Sequence, residues 1–247
     1  MATSKRHAQR VLVTGANRGI GLEFARQLTA RGDRVFATAR DLKRATELRD
    51  LAKEHGEDRL TIVPLDVDSA DSIAAAAESV RKNTDRLDLL INNAGIYAAR
   101  VGKDGQPAER MGELNFDDAL KVIRTNAVAP LILTQALLPL LKNGTKPKVV
   151  SITSGYGSVA DNTGFPYYYA ASKAALNQFM RSFAGNGAAR GIITIVMSPG
   201  WVQTDMGGAG ASITPQQSVA GMLKVMDGLS AGDNSTFKEW RGKEVAW

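Results

Sequence analysis

Tyr169 and Lys173 stand four residues apart in Tyr169-Ala170-Ala171-Ser172-Lys173, and the run that follows, to Phe179, favours helix with no Gly or Pro before Gly185. Side chains at i and i+4 leave one helix face about a turn apart. An ammonium beside a phenol favours the phenolate. A free Tyr titrates near ~10. At ~4 Å and an effective dielectric of ~20 the attraction is worth ~4 kcal/mol. At ~1.4 kcal/mol per unit, that brings the phenol towards ~7. Such a group gives a proton to a nascent alkoxide, or takes one from an alcohol, at physiological pH. The competing reading of the pair alone is a Tyr packed under a Lys stem. The surrounding elements must decide.

Composition narrows the chemistry. The 247 residues are 44% hydrophobic and 23% charged, and no linker, low-complexity tract or repeat divides them. One domain over 1–247 is predicted, with 1–9 as a flexible N-terminus. Met1 to Arg10 is polar and basic with no apolar centre, unlike a secretory signal. The longest apolar stretch, Ala127 to Leu141, is broken by Thr134-Gln135 and too short to span a bilayer. A cytoplasmic protein without membrane attachment is expected. Zero cysteines exclude thiolate chemistry, and His7 and His55 are too far apart to suggest zinc, so no metal is expected. The net charge of +6 comes without a basic run interleaved with aromatics, which make up 6% of the chain. Anionic small molecules are favoured over nucleic acid.

The elements then follow in order. Arg10 to Thr14 reads as a buried strand, Gly15-Ala16-Asn17-Arg18-Gly19-Ile20-Gly21 as a turn, and Leu22 to Leu28 as a helix. Strand, glycine turn and helix bring backbone N–H groups to a helix N-terminus, where a pyrophosphate is stabilised. The spacing G-x-x-x-G-x-G differs from the commonest dinucleotide fingerprint. A second strand, Arg34 to Arg40, ends in the residues that set cofactor choice. A carboxylate there holds ribose hydroxyls, whereas Arg accepts a 2′-phosphate. Arg40, with Arg18 nearby, favours NADP(H) over NAD(H). Asp41 is either a ribose ligand or the N-cap of a helix predicted over Leu42 to Lys53.

A third strand, Leu60 to Leu65, runs into Asp66-Val67. Asp66 accepts from an adenine amino group or caps the helix Ser69 to Asn83. A fourth strand, Leu87 to Ile91, leads into Asn92-Asn93-Ala94-Gly95, where amides brace strands and Gly95 admits a ligand near the backbone. Tyr97 to Leu114 reads as loop, with Gly102, Gly105 and Pro107. Asn115 caps the longest helix, within which Asn126 must bridge backbone or hold a water. A fifth strand, Lys148 to Ser154, is followed by a loop from Gly155 to Pro166 and the Tyr169 helix. A sixth strand, Ile192 to Met197, ends in Ser198-Pro199-Gly200. Thr214-Pro215-Gln216-Gln217 opens the last helix with a capping box. Strands alternating with helices imply an α/β protein with a parallel sheet covered on both faces.

In order and spacing, Thr14-Gly15-x-x-x-Gly19-x-Gly21, Asp66, Asn92-Asn93-Ala94-Gly95, Asn126, Ser154, Tyr169-x-x-x-Lys173 and Pro199-Gly200 resemble the short-chain dehydrogenases/reductases over nearly the whole chain. The stretch Ser198 to Gly208 and the short C-terminus with Trp240 and Trp247 are most similar to the C-factor-like carbonyl reductase branch. The resemblance implies a single-domain Rossmann fold, a doubly wound parallel sheet of about seven strands with helices on both faces. It implies an NADPH-dependent carbonyl reductase with four catalytic residues. Tyr169 is the general acid and Lys173 lowers its pKa and holds the nicotinamide ribose. Ser154 polarises the carbonyl, and Asn126 positions a water. Around the cofactor it places Gly15, Asn17, Arg18, Gly19, Ile20, Gly21, Arg40, Asp66, Val67, Asn93, Ala94, Gly95, Tyr169, Lys173, Pro199, Gly200, Val202 and Thr204.

The substrate is expected against Ser154, Tyr156, Tyr169, Trp201 and Met206, with glycines 207, 208 and 210 suggesting a mobile flap. The interval from Ser154 to Tyr169 is slightly long for the family, which leaves Thr153 and Ser158 as alternatives for the carbonyl contact. The apolar helix Asp117 to Leu141 resembles the family's usual subunit interface, so a homodimer or homotetramer is expected. A non-catalytic NADP-binding regulator that keeps the fold is the alternative reading. An epimerase or dehydratase using the same pair would need a larger C-terminal region than follows Pro199.

Overall fold

The computed structural model describes residues 7–102, 109–162, 164 and 166–247. Most of the predicted flexible N-terminus lies outside these residues, as do Gly105 and Pro107 of the predicted loop. The elements are β1 (Arg10–Val13), α1 (Gly19–Ala30), β2 (Arg34–Ala39), α2 (Thr46–His55), β3 (Leu60–Pro64), α3 (Ala70–Asn83), β4 (Leu89–Asn92), α4 (Phe116–Ile123), α5 (Ala129–Lys142), β5 (Lys148–Ile152), α6 (Tyr167–Ala184), β6 (Ile193–Ser198), α7 (Pro215–Gly228) and β7 (Thr236–Glu239).

All seven strands are parallel, in the order β3-β2-β1-β4-β5-β6-β7. The order reverses between β1 and β4, which opens a crevice at the carboxyl ends of these two strands. Alternation along β1 divides the core. Val11 and Val13 pack with Phe24 and Leu28 of α1 and Met222 and Met226 of α7. Leu12 faces the other way, to Leu133 and Leu137 of α5 and Leu176 and Met180 of α6. Each such side chain stabilises the fold by roughly 1.5–3 kcal/mol through burial.

Three predicted helices differ in detail. Helix α2 starts at Thr46, not Leu42, because Asp41 Oδ1 accepts from the backbone N–H of Lys43 at 2.9 Å and closes a separate turn. Asp41 is therefore not a helix N-cap. Nor does Asp66 cap α3, where the cap is Ser69, accepting from Ser72 N at 3.2 Å. The long helix from Phe116 to Lys142 is continuous but carries a five-residue π turn, Arg124–Val128, with Asn126 at its centre. Pro130 has no N–H to donate to the Asn126 carbonyl one helical turn earlier, so the local ladder re-registers.

The seventh strand is finished by the chain's last residues. Glu239 N donates to Lys243 O at 2.8 Å and Val245 N to Phe237 O at 2.9 Å, an antiparallel return along β7. Trp247 then sits against Phe237, 5.9 Å between rings, beneath the Arg181 guanidinium at 4.7 Å. Its carbonyl accepts from Ala160 N at 3.2 Å.

Candidate active site

The crevice between β1 and β4 opens into a groove of about 680 Å³. One wall is the glycine turn. Gly15 and Gly19 take φ of +64° and +55°, left-handed conformations that cost a side chain strain. A Cβ on Gly21 would lie 2.2 Å from Gly15 O and 2.5 Å from Asn93 Nδ2. No side chain caps the start of α1 and its first turn holds no acid, so its N–H groups face the groove ready for an anion. Thr14 Oγ1 accepts from Asn93 N and Ala94 N, both at 2.9 Å, and Asn93 Nδ2 donates to Thr14 O at 2.8 Å. These bonds fix the turn to the end of β4. Asn92 braces the layers below, donating to Ser151 at 3.2 Å and Thr134 at 3.3 Å.

The far end of the groove carries mixed charge. Arg18, Arg40 and Arg44 line it with Asp41, Asp66, Val67 and Asp68, and Arg44 pairs with Asp41 at 3.4 Å. Arg44 is absent from the sequence-based set, although its spacing of four from Arg40 is a usable signal. Lys121 and Thr125, also unanticipated, close this end by bonding to the Asp68 carboxylate, Thr125 at 2.7 Å. Arg18 reaches across the groove and donates to Asp205 Oδ2 at 2.6 Å, with both side chains largely exposed.

At the near end, α6 delivers Tyr169 and Lys173, both buried. Lys173 Nζ donates to Ile152 O at 2.9 Å. Its distance from the Tyr169 ring centre is 5.7 Å. Burial pushes the Tyr169 phenol up to about 12, against a hydrogen bond to Ser154 that lowers it, and Tyr97 and Tyr156 raise it further. Burial pushes Lys173 down to about 8. The expected phenol near 7 is therefore not met, because desolvation outweighs the attraction of an ammonium that is engaged elsewhere. Tyr97 and Tyr156 pack edge-on to Tyr169 at 5.0 and 6.3 Å between ring centres.

Asn126 is fully committed. Its Oδ1 accepts from Ile96 N at 2.8 Å, and its Nδ2 donates to Ile96 O at 2.8 Å and Ser172 Oγ at 2.9 Å. A Cβ on Gly95 would meet Asn126 Oδ1 at 3.1 Å and Lys173 Nζ at 3.6 Å. Glycine thus brings the strand end, the π turn and α6 to one point. Thr153 donates to Lys173 O at 3.5 Å and Ser158 accepts from Asp161 N at 3.2 Å, both fully buried. Of the three hydroxyls Thr153 lines the groove, whereas Ser154 is half-buried outside that lining and bonds to Tyr169.

The segment after β6 divides the remaining residues. Pro199, Thr204 and Met206 line the groove, whereas Gly200 and Val202 are outside its lining. Gly200 is held by packing, since a Cβ there would meet Ile213 Cδ1 at 2.8 Å and Trp240 Nε1 at 3.0 Å. Val202 is buried in a bridge to Ile213. Trp201 is exposed, its Nε1 donating to Gly207 O at 2.8 Å. Glycines 207 and 208 serve a closed loop more than a free flap. A Cβ on Gly207 would fall 2.0 Å from Val202 O, Gly208 has φ of +75°, and Gln203 Nε2 donates to Ala211 O at 3.0 Å.

The model of a family described as short chain dehydrogenase matches residues 9–212. The chain is 40% identical to the C-signal protein of Myxococcus xanthus over 165 residues, 66% of this chain and 95% of that one. Among solved structures it is similar to an NADPH-bound carbonyl reductase from chicken fatty liver, with 42% identity and a TM-score of 0.88 over 98% of this chain and 100% of that one. The carbonyl reductase Sniffer of D. melanogaster is 30% identical, with a TM-score of 0.87 over the same shares.

Proposed function

The chain belongs to the short-chain dehydrogenase family, and from this premise we propose that it is an NADPH-dependent oxidoreductase reducing an aldehyde or ketone to an alcohol, with Tyr169 as general acid. One observation carries the reading: a buried Tyr169, bonded to Ser154 and a turn from Lys173, ends a groove whose other end holds three arginines. A regulator that only bound a dinucleotide would have no use for that phenol. The NADPH bound to the chicken carbonyl reductase supports the choice of cofactor.

The groove fits such a cofactor. The uncapped start of α1, with Gly15, Asn17, Gly19, Ile20 and Gly21, receives the pyrophosphate. Arg18, Arg40 and Arg44 bind the 2′-phosphate in preference to a bare ribose. Asp66 and Val67 hold the adenine, Asn93, Ala94 and Gly95 line the middle, and Pro199 and Thr204 take the carboxamide end. When bound, NADPH supplies the hydride. Ser154 and Tyr169 donate to the carbonyl oxygen as charge develops there, and Tyr169 gives up its proton. Lys173 stabilises the resulting phenolate and holds the ribose. Asn126 acts through its main chain: Pro130 leaves its carbonyl short of a helical donor, a place for the water that returns the proton.

Tyr97 and Tyr156 pack on Tyr169 and Met206 lines the groove, surroundings that favour an apolar carbonyl compound. The outward stripe Phe116, Leu120, Val128 and Ile132 on the long helix fits a second copy of the chain, giving a homodimer or homotetramer in the cytoplasm. The test is NADPH oxidation over a panel of aldehydes, ketones, diketones and quinones. Turnover lost in Tyr169→Phe is expected. Tight NADPH binding with no turnover across the panel would instead assign the chain to the regulatory reading.

A further inference from the structure

Helix α6 begins with three tyrosines after Pro166, and nothing in its own sequence caps it. Pro166 offers no side-chain acceptor, and the first turn contains no acid. Its leading N–H groups still need partners. They find one 59 residues away in sequence. Glu109 is 1% exposed, and its Oε2 accepts from Tyr168 N at 2.8 Å, with Tyr167 N bonded to the same carboxyl. Its other oxygen, Oε1, has no partner among the described residues. A buried carboxylate is costly unless something offsets it, and here the offset is the positive end of an 18-residue helix.

A second tie runs beside the first. The Tyr168 hydroxyl accepts from Asn115 N at 2.8 Å and donates to Asn115 O at 3.1 Å. Asn115 is itself the cap of α4, accepting from Asp118 N at 3.0 Å. The start of α4 and the start of α6 are thereby stapled through one side chain. Tyr169 is the next residue along, and its ring meets Tyr97 from the strand-end loop that precedes Glu109 in the chain.

We propose that Glu109 is a positioning residue for the reduction: it caps the tyrosine-bearing helix from outside, and together with the Tyr168–Asn115 staple it fixes where the Tyr169 phenol points. The inference rests on the general-acid reading of Tyr169. Neither Glu109 nor Tyr168 lines the cofactor groove, so the effect belongs on the chemical step and not on nucleotide binding. A misplacement of about 1 Å is enough to cost up to roughly a hundredfold in rate.

The experiment compares Glu109→Ala, Glu109→Gln, Tyr168→Phe and Tyr169→Phe, measuring kcat, carbonyl KM and NADPH Kd on the full chain. Expected are a fall in kcat of about tenfold or more in Glu109→Ala, an NADPH Kd within about twofold of the parent, and substantial recovery in Glu109→Gln, whose amide oxygen still accepts an N–H. Tyr168→Phe keeps the Glu109 bond and loses the staple, so an intermediate kcat is expected. Should Glu109→Ala fail to fold, Tyr168→Phe decides. Parent-like kcat in Tyr168→Phe would then overturn the proposal. A kcat loss matched by an equal loss of NADPH affinity would overturn it too, as general unfolding. If Tyr169→Phe is inactive while Glu109→Ala is unimpaired, the clamp alone is wrong. If Tyr169→Phe is fully active, the general-acid reading has failed first.

Discussion

Lys173 Nζ sits 5.7 Å from the centre of the Tyr169 ring and donates to the main-chain carbonyl of Ile152 at 2.9 Å. The two side chains are neighbours on one helix face, as their spacing requires, yet each is governed by its burial more than by the other. The phenol is held up near 12 and the ammonium down near 8. Tyr169 thus holds its proton firmly.

A pH dependence of stability follows from Lys173. In the unfolded chain it keeps its proton up to about 10.5, and in the folded protein it releases it near 8. Between those values the unfolded state binds more protons, so stability rises with pH from about 8 to about 10.5, by up to roughly 3 kcal/mol. Tyr169 acts in the opposite sense above about 10, where the unfolded chain ionises first. Denaturant melts of Lys173→Met across this range are expected to lack the rise. A slope equal to the parent's would remove the assignment to Lys173.

Loss of the phenolic hydroxyl should cost catalysis, not binding. Tyr169→Phe is expected to lower kcat by about a hundredfold or more, the usual worth of a general acid. NADPH titration by fluorescence should give a Kd near the parent's, since the groove's phosphate-binding parts are remote from the phenol.

Cofactor choice is expected to reside in the arginine-bearing end. Arg40→Ala should weaken NADPH by about tenfold or more, the scale of one charge-assisted hydrogen bond, and leave NADH nearly unchanged. Asp205→Asn should act the other way. Its ion pair with Arg18 is exposed and worth about 1 kcal/mol or less, so freeing Arg18 improves NADPH affinity by at most about fivefold. Calorimetry with both nucleotides reads each effect.

Gly21→Ala should be the most damaging small substitution. The added methyl would fall 2.2 Å from Gly15 O and 2.5 Å from the Asn93 amide, atoms of the phosphate turn and of its brace. Loss of NADPH binding and a Tm lower by several degrees are expected. A parent-like Tm in differential scanning calorimetry would show that the turn gives way without cost.

The parts of this molecule visible in sequence were those written in local patterns. Six of the strands are written in short apolar runs, the glycine turn in its spacing, the cap of α4 in Asn115, and the capping box of α7 in Thr214 and Gln217. Where the chain depends on distant partners, local pattern failed. Asp41 and Asp66 have the right chemistry to cap helices but close tighter turns of their own. Strand β7, with one bulky apolar residue in Thr236-Phe237-Lys238-Glu239, exists as a strand because β6 and the returning tail hold it. Spacing alone predicts a lowered Tyr169 proton affinity, and spacing carries no information about the desolvation that raises it. Glu109 gave no signal at all, since a lone acid in a polar stretch looks solvated until the fold closes over it.

The tail's return along β7 has a practical side. An outer strand normally offers its bare N–H and C=O groups to any passing strand, and residues 243–245 already occupy that rim. Trp247 pins that rim in place, wedged under Arg181 next to the turn that carries Ala160. Replacing Trp247 by a small residue therefore threatens to peel the rim open and invite clumping.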